Sequence, residues 1–464
     1  MKDKKTEIKQ GITFHEIQTN KFKTNLFAIF FTIPLTRETV TKNALITAIL
    51  RRGTKDLPSQ DLISKKLEEM YGAGFDCGIE KSGDYHTMKF YLELINDQYL
   101  PEKEDLTKKA LEMLLSIAFN PFAENRAFKQ EYVEQEKENL KQIIEGKIDN
   151  KGSYALERCI EEMYKNKPYG LYKYGYTEDL NNITAKELYE YYEEMIQNCK
   201  IDIFASGELQ ENIAQEIKEN KDISKLKERK FEIKIEDQKE KIEQLREITE
   251  SMDITQGKLV IGLDVLSNKE NISYITMVYN TILGVGANSK LFQNVREKAS
   301  LAYSCSSNYI KRKQIIMARA GIEIENYEKT VEIIKKQLED MKQSNFTDED
   351  IQNAKNIIFA TINNIEEEQD TEISYYFGQE LAKNNITIEE YKKRIEQVTK
   401  EQIVEVANSI KINTIYFLKN WGRKSEVGSR RSEVGGRKSE VGSRRSEVGS
   451  RRSEVGGQKS EDRR

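Results

Sequence analysis

Arg296 and Tyr303 are the two side chains of this sequence that are best placed to bind a polar group together. Apolar residues at helical spacing predict a short helix that carries the arginine near its end: Leu291, Phe292, Val295 and Ala299. A strand-like run, Ala302 to Tyr309, follows, and Tyr303 lies at its start. A guanidinium and a phenol held in this way can both donate hydrogen bonds to one carbonyl oxygen from a single side. The pair therefore predicts a binding site for a carbonyl group.

A glycine-rich loop, residues 284–289, precedes this helix. Asn288 or Ser289 can cap the helix, which would leave exposed N–H groups at the end of the loop. Gly284 and Gly286 would let the loop backbone approach a substrate closely. Each of these features also has a structural interpretation. The glycines can serve the turn into the helix, the arginine can form a salt bridge and the tyrosine can pack in the core.

The sequence gives little support for metal or nucleophilic chemistry elsewhere. It has two histidines, His15 and His86, and neither has a possible ligand four residues further on, so we expect surface or strand-edge histidines. Four cysteines lie far apart without a C-x-x-C pair and are expected to be reduced, mostly buried thiols: Cys77, Cys159, Cys199 and Cys305. No G-x-S-x-G motif occurs, and no Gly-Lys-Ser/Thr follows the glycines, as a phosphate-binding loop requires.

The charge distribution argues against nucleic acid as a partner. The 464 residues carry a net charge of −4, but residues 422–464 hold 13 Lys or Arg against 7 Asp or Glu, which leaves 61 against 71 in the rest of the chain. Nucleic-acid-binding surfaces are usually basic, and this body is acidic. The first residues lack an apolar stretch of signal-peptide length, and no run approaches transmembrane length. We therefore expect a soluble, cytoplasmic protein without a membrane partner.

The same order of elements is predicted twice, which indicates an α+β fold built by internal duplication. The first half is predicted to contain a strand within residues 21–36, a helix at 43–50, a helix capped by Ser59, a hairpin of Phe75–Glu80 and His86–Ile95, charged helices and a strand at 200–205. The second half is predicted to contain a strand at 257–266, helices at 273–283 and 289–298, a hairpin of 301–310 and 314–324, further helices and a strand at 413–417. Each half should fold into an antiparallel-rich sheet flanked by helices.

Composition predicts where these halves begin and end. We expect domains at residues 1–208 and 255–421, separated at 209–254 by a charged helix and an exposed linker, Lys225 to Glu250. The tail, 422–464, repeats seven-residue units such as SRRSEVG with one apolar residue each, which is too few for a coiled-coil seam. It is predicted to be a low-complexity, disordered segment. Either it is a basic tether for an acidic surface, or it is a repeat expansion beyond the functional chain.

The block from Gly284 to Tyr303 resembles the substrate-binding half of the insulinase-type (M16) zinc metallopeptidases, which include pitrilysin and the mitochondrial processing peptidase. The order of motifs is shared: the glycine-rich loop, then Leu291-Phe292, Arg296-Glu297 and Leu301-Ala302-Tyr303. The resemblance covers roughly residues 10 to 420. It implies two insulinase-type α/β-roll halves that form a clamshell. It also implies that the arginine and the tyrosine contact substrate near a zinc ion held by the other half of the molecule.

The zinc site that this family carries is degenerate here. Family members have an H-x-x-E-H helix shortly before a Gly-Thr, and a third ligand, a glutamate, on a later helix. Gly53-Thr54 is present, but the motif positions are occupied by residues without a usable donor: Ala44-Leu45-Ile46-Thr47-Ala48, with Ile143 in place of the third ligand. Alanine and isoleucine cannot bind zinc. We therefore expect no metal, no cofactor and no peptidase activity, rather than an enzyme with unrecognised ligands.

Two further stretches, 67–97 and 255–265, look similar to a zinc-less bacterial branch of the family named for elongation factor P 5-aminopentanol modification. This resemblance implies a heterodimer with a zinc-bearing sister chain and a link to elongation factor P modification. It also implies that an extended peptide is bound as an added strand at a sheet edge, predicted here at Leu26 to Phe31 or its neighbours. The alternative function is a stand-alone peptide-binding scaffold without a peptidase partner.

Overall fold

The structure, a computed structural model, describes residues 3–233 and 244–421. Thirteen strands are numbered in chain order: β1 Asp3–Lys9, β2 Ile12–Gln18, β3 Thr24–Pro34, β4 Gly74–Ser82, β5 Tyr85–Ile95, β6 Ala123–Glu124, β7 Ala127–Phe128, β8 Lys200–Gly207, β9 Arg246–Met252, β10 Gly257–Val265, β11 Ala302–Ile310, β12 Ile315–Ile322 and β13 Ile410–Asn420. Apart from the small β6–β7 pair, they form two sheets.

The α-helices are numbered in the same way: α1 Val40–Leu50, α2 Gln60–Glu69, α3 Leu106–Phe119, α4 Gln130–Glu145, α5 Lys151–Met163, α6 Thr177–Leu180, α7 Ala185–Asn198, α8 Ile213–Glu219, α9 Lys221–Ser224, α10 Ile272–Gly284, α11 Tyr327–Lys342, α12 Asp348–Asn363, α13 Gln369–Leu381, α14 Ile388–Glu396 and α15 Lys400–Ser409. A π-helix spans Phe292–Lys298. Within the described residues, no helix is long and apolar enough to cross a membrane.

The two sheets share one strand order. The first runs β4–β5–β3–β8–β2–β1 and the second β11–β12–β10–β13–β9. In each sheet a single neighbouring pair is parallel, β2 with β8 and β9 with β13, and all other pairs are antiparallel. The second sheet thus repeats the first without β1. The α+β fold and its internal duplication, both predicted from the sequence, are confirmed.

Local sequence signals explain where several helices begin. Ser59 accepts a hydrogen bond from the backbone N–H of Leu62 at the start of α2. Thr347 and Asp350 form a reciprocal capping box at the start of α12. Strand β3 is apolar along most of its length because both faces of its sheet are covered there.

Each sheet packs helices of its own half against one face. In the first sheet this core joins residues such as Phe27, Ile29 and Phe31 of β3 to α1, α3, α4 and α7. In the second sheet it joins residues such as Leu259 and Ile261 of β10 to α10, α11, α12, α14 and α15. Burial of apolar surface on this scale is the main stabilising contribution in both halves.

The opposite face of each sheet is covered by a helix from the other half. Helix α13 packs Phe377 and its neighbours on Phe30 and Phe204 of the first sheet, and the Phe30 and Phe377 ring centroids are 4.0 Å apart. Helix α5 packs Cys159 and its neighbours on the second sheet. The described residues up to 420 form one compact unit because of this exchange. The domain boundaries predicted from composition stay a prediction.

Both histidines are buried, so the prediction of surface or strand-edge histidines is wrong. His15 lies in β2, and its Nδ1 is 3.2 Å from Asp3 Oδ1 and its Nε2 3.1 Å from Asp202 Oδ1. The Nε2 of His86 donates to the carbonyl oxygen of Lys173 at 2.8 Å, and burial lowers its pKa to about 4. Asp202, one of the two carboxylates that bind His15, lies 187 residues away in sequence, so local patterns do not reveal it.

Two predictions about the linker and the tail have different outcomes. The linker predicted as exposed between Lys225 and Glu250 ends in a strand, β9, which pairs in parallel with β13. Alternating charged residues made this strand look like a solvated segment. Residues 234–243 of the linker and the predicted disordered tail, 422–464, lie outside the described residues.

Candidate functional site

Arg296 lies on the π-helix with its side chain in solvent. The guanidinium carbon is 4.6 Å from the centre of the Phe292 ring, and Nε is 3.7 Å from Glu297 Oε1 on the neighbouring residue. Both side chains of this ion pair are more than two-fifths exposed, so it is weak. π-Helices occur frequently at functional sites. The arginine is therefore held in position by a stacked ring and is accessible to a ligand.

Tyr303 is the extra residue of a β-bulge in β11. Ala302 pairs with Ile322 and Ser304 with Gly321, which leaves the tyrosine without a partner of its own in the ladder. Its side chain is 65% exposed, and the hydroxyl donates to Glu323 Oε1 at 2.7 Å. This hydrogen bond raises the pKa of the phenol. Bulges commonly re-aim a side chain beside a functional site. The alternative of a core tyrosine is wrong.

The glycines and the predicted cap have structural roles. Gly284 is the buried last residue of α10, and a β-carbon there would lie 2.5 Å from the backbone nitrogen of Ser307. The expectation that Gly284 approaches a substrate is therefore corrected, since its role is helix–strand packing. Gly286 has φ +83°, a conformation that favours glycine in a turn. The hydroxyl of Ser289 donates to the Gly286 carbonyl at 2.8 Å and does not cap the helix.

The degenerate zinc positions lie on α1 and α4, which pack against each other. Ala44 and Thr47 are buried, and the threonine hydroxyl donates to the carbonyl of Asn43 at 2.9 Å within the helix. Ala48 is partly exposed, and Ile143 is 47% exposed. Residues 3–233 and 244–421 contain no group of three or more His, Cys, Asp or Glu side chains that could hold a metal ion. The residues present do not fit the zinc that this fold family carries.

A buried ion pair links the same two helices. Glu136 of α4 is almost fully buried, and its Oε1 lies 3.2 Å from Arg52 just after α1. The Arg52 guanidinium also stacks 4.9 Å from the centre of the Tyr132 ring. A charged side chain thus joins α1 to α4 near the place where family members use a metal ion. This contact is structural and offers no general base.

The open edge next to α1 belongs to β4. Strand β3, which contains the predicted edge Leu26 to Phe31, pairs with β5 on one side and β8 on the other. Both of these neighbours are interior strands as well, so the prediction of an edge at β3 or its neighbours is wrong. Within the described residues β4 pairs with β5 alone, and the Cys77 thiol donates to the carbonyl of Thr47 on α1 at 3.7 Å. Gly74 and Gly78 lie on β4, and a β-carbon at either would meet nothing within 4 Å. Glycine inside a strand often marks a place where another backbone approaches closely.

Comparisons with known proteins agree with this description. A family described as the peptidase M16 inactive domain matches residues 182–358. A Bacillus subtilis (strain 168) protein described as a probable inactive metalloprotease, YmfF, is 37% identical over 413 residues, which cover 88% of this chain and 96% of the relative. A solved structure of a conserved protein from Enterococcus faecalis V583 has a TM-score of 0.84 with 26% identity, over 91% of this chain and 99% of that one. A peptidase M16 inactive domain from Pseudomonas fluorescens has a TM-score of 0.73 with 16% identity, over 91% and 99%.

The chain therefore belongs to the M16, insulinase-type, peptidase family. Within that family it is a non-catalytic peptidase homologue, in agreement with the Bacillus subtilis relative, which is described as a probable inactive metalloprotease, and with the family model of the inactive domain. The family and the loss of activity, both predicted from the sequence, are confirmed. The open edge at β4 was not predicted from the sequence. The signal for it was the pair of glycines inside an otherwise strand-like run, Gly74 and Gly78.

Proposed function

We propose that this chain is the substrate-binding, non-catalytic subunit of a two-chain zinc peptidase whose sister chain carries the metal. The observation that carries the proposal is the contrast between two sites. Arg296 and Tyr303 are exposed polar side chains, while the positions of the zinc ligands have side chains that cannot hold zinc. A chain with this combination can position a substrate but needs another chain to cleave it.

The packing of the two halves supports a partner chain. Helices α5 and α13 each fill the space between the halves with apolar side chains. The two halves are therefore joined by apolar contacts on both sheets. The opposing wall of a substrate chamber is then supplied by a second, zinc-bearing chain of the same family. Its zinc would carry out the hydrolysis.

An extended peptide is the proposed substrate. The outer edge of β4 offers backbone groups to an added strand, which gives affinity with little demand on sequence. Gly74 and Gly78 leave the space that an approaching backbone needs. Arg296 and Tyr303 are the donors proposed to orient a peptide carbonyl at the sister's zinc, the tyrosine by exchanging its hydrogen bond with Glu323 for one with the carbonyl. Gly286 supports this surface through its turn conformation.

Cleavage by the mixed chains tests this proposal. The sister chain is assayed with a fluorogenic unfolded peptide, alone and with the wild-type chain, Arg296→Ala or Tyr303→Phe. We expect the wild-type chain to stimulate cleavage and each variant to reduce that stimulation at least tenfold. Arg126→Ala removes an exposed guanidinium elsewhere, one that is paired with Glu193, and serves as the control. Unchanged cleavage with Arg296→Ala contradicts the role assigned to the arginine.

A stand-alone peptide-binding scaffold is the second candidate, because the β4 edge lies entirely within this chain. It predicts peptide binding that is equally tight with and without the sister. The variant Gly78→Val should weaken such binding in either case, since a branched side chain would crowd a backbone that approaches this open position closely. The cytoplasmic location and the link to elongation factor P modification stay predictions from resemblance.

A further inference from the structure

The second sheet has an uncovered polar region on the face that α5 packs against. Helix α5 covers the apolar part of this face, which includes Val260 and Met317. One step further along β12, on the same face, Arg319 is exposed. An exposed charged side chain at the centre of an interior strand is unusual, because its neighbours on β12 are all buried.

Arg319 has no partner among residues 3–233 and 244–421. Its backbone lies opposite Val260 on β10 and Ser306 on β11, and neither side chain is an anion. Among the residues that the structure describes, it forms neither a hydrogen bond nor an ion pair. A guanidinium has five N–H donors, so this group offers a complete fork to an incoming acceptor.

A second cation lies diagonally across from it. Lys258 of β10 is opposite Gly321 of β12, so it shares the face with Arg319, and diagonal neighbours lie about 7–8 Å apart. Its ammonium donates to the side-chain oxygen of Gln256. Burial lowers the pKa of Lys258, and no carboxylate acts to raise it. Two positive groups are thus placed together without a counter-charge.

The carboxylates at the same end of this face as Lys258 are bound elsewhere. Glu323 accepts from the Tyr303 hydroxyl at 2.7 Å. Glu250, on β9, accepts from Tyr154 at 2.5 Å and from Tyr416 at 2.6 Å, and it also pairs with Arg158 of α5. The two cations therefore define a positive region, which we call the Arg319 patch.

The patch is open and continuous with the Tyr303 site. Ser304 and Ser306 of β11 flank it, and both are at least partly exposed. Gly321 has no side chain, and a β-carbon there would lie 3.0 Å from Gln256 Oε1 and 3.3 Å from Ser304 Oγ. The glycine thus leaves a shallow depression lined by polar atoms. Ser304 is adjacent to Tyr303, so a peptide that reaches the tyrosine can extend over the patch.

We propose that the Arg319 patch binds a carboxylate of the client peptide, so that preferred clients carry Asp or Glu side chains on the segment next to the bound carbonyl. The inference rests on the proposed function and specifies its substrate class. An arginine fork matches a carboxylate in shape, and a neighbouring lysine adds attraction. Serine hydroxyls and the Gln256 amide satisfy the remaining acceptor positions.

Matched peptides test the proposal. Two fluorescein-labelled ten-residue peptides with blocked termini differ only in having three Glu or three Gln residues at alternate positions. Fluorescence anisotropy measures their affinity for the wild-type chain and for Arg319→Gln, with sister chain present. The control, Lys336→Gln, removes one positive charge from α11, which packs on the other face of the same sheet. We expect the wild type and the control to bind the Glu peptide about tenfold more tightly.

In Arg319→Gln the two peptides should bind within twofold of each other, with the affinity for the Gln peptide unchanged. Equal affinity of the wild type for both peptides overturns the proposal, as does a tenfold preference that survives in Arg319→Gln. In those cases, binding of the Gln peptide that is weakened in Gly78→Val leaves the proposed function intact. If neither peptide binds, the proposed function and this inference both fail.

Discussion

Removing His15 should destabilise the fold more at low pH than at high pH. The ring is fully buried, stacks on Phe204 with 4.1 Å between ring centroids, and donates to Asp3 and Asp202. Asp202 also pairs with Lys200, whose ammonium lies 3.1 Å from Glu380 of α13. His15 is therefore the centre of a charge network that joins the first sheet to a helix of the second half.

The expected loss in free energy of unfolding follows from the buried carboxylates that would lose their partner in His15→Ala. Breaking a buried ion pair by removing one partner costs about 3–5 kcal/mol. Lys200 would still neutralise part of the charge of Asp202, so we expect His15→Ala to cost about 3 kcal/mol in free energy of unfolding. Urea denaturation followed by circular dichroism measures this cost at pH 6 and pH 9.

The pH dependence has a definite sign. Burial lowers the pKa of His15, but hydrogen bonds and charge attraction from Asp202 and Asp3 outweigh this effect and raise it above 6.5. The stabilising contribution of the imidazolium is therefore fully present below pH 6.5 and is lost as the pH rises through the raised pKa. The cost of His15→Ala should be larger at pH 6 than at pH 9.

His86 provides the control, because it is equally buried and burial lowers its pKa to about 4. A histidine with a lowered pKa is neutral in the folded state from pH 6 to 9, so the cost of His86→Ala should not fall over that range. A cost of His15→Ala below 1 kcal/mol at pH 6, or an equal cost at both pH values, would refute the charged network.

Three further predictions follow from packing and from the degenerate metal site. Residues 244–421 expressed alone should fail to fold cooperatively and should bind the dye ANS, because α5 is missing from the second sheet; a sharp thermal transition without dye binding contradicts this. Gly284→Val should lower the free energy of unfolding by about 3 kcal/mol or more, because its side chain clashes with Ser307. Gly78→Val should change it by no more than about 1 kcal/mol, because the position is open. Urea denaturation measures both, and a similar loss in the two variants would mean that the β4 glycine is structural. The combined variant Ala44→His, Thr47→Glu, Ala48→His and Ile143→Glu should bind one zinc ion per chain in elemental analysis, whereas no binding would show that α1 and α4 are not aligned as the resemblance implies.

The sequence predicted the order of elements well because their signals are local. Ser59 marks the start of α2, and β4 and β5 form the expected hairpin. Strand order is a different matter. Strand β3 is interior and β4 is an edge because of pairings between segments that are distant in the chain. Local sequence patterns do not indicate such pairings. The prediction of an open edge at Leu26 to Phe31 was wrong because these pairings could not be predicted.

The parts of the candidate site that belong to a sequence motif were predictable, whereas the parts that depend on tertiary packing were not. Arg296 and Tyr303 were found from the order of a short block, although the bulge that exposes the tyrosine is set by its pairing with β12. Gly284 was misread as a substrate contact because burial against Ser307 is invisible in sequence. Arg319 was missed because a single charge in an apolar strand stands out only once its face is known to be open.

The central claim is that this chain binds substrate for a zinc-bearing partner and holds no zinc itself. Native mass spectrometry of the purified chain, alone and mixed with the zinc-bearing sister, tests it most directly. We expect the chain alone to be free of zinc, and the mixture to give a one-to-one complex with a single zinc ion. Stoichiometric zinc on the chain alone, or no complex in the mixture, would contradict the account.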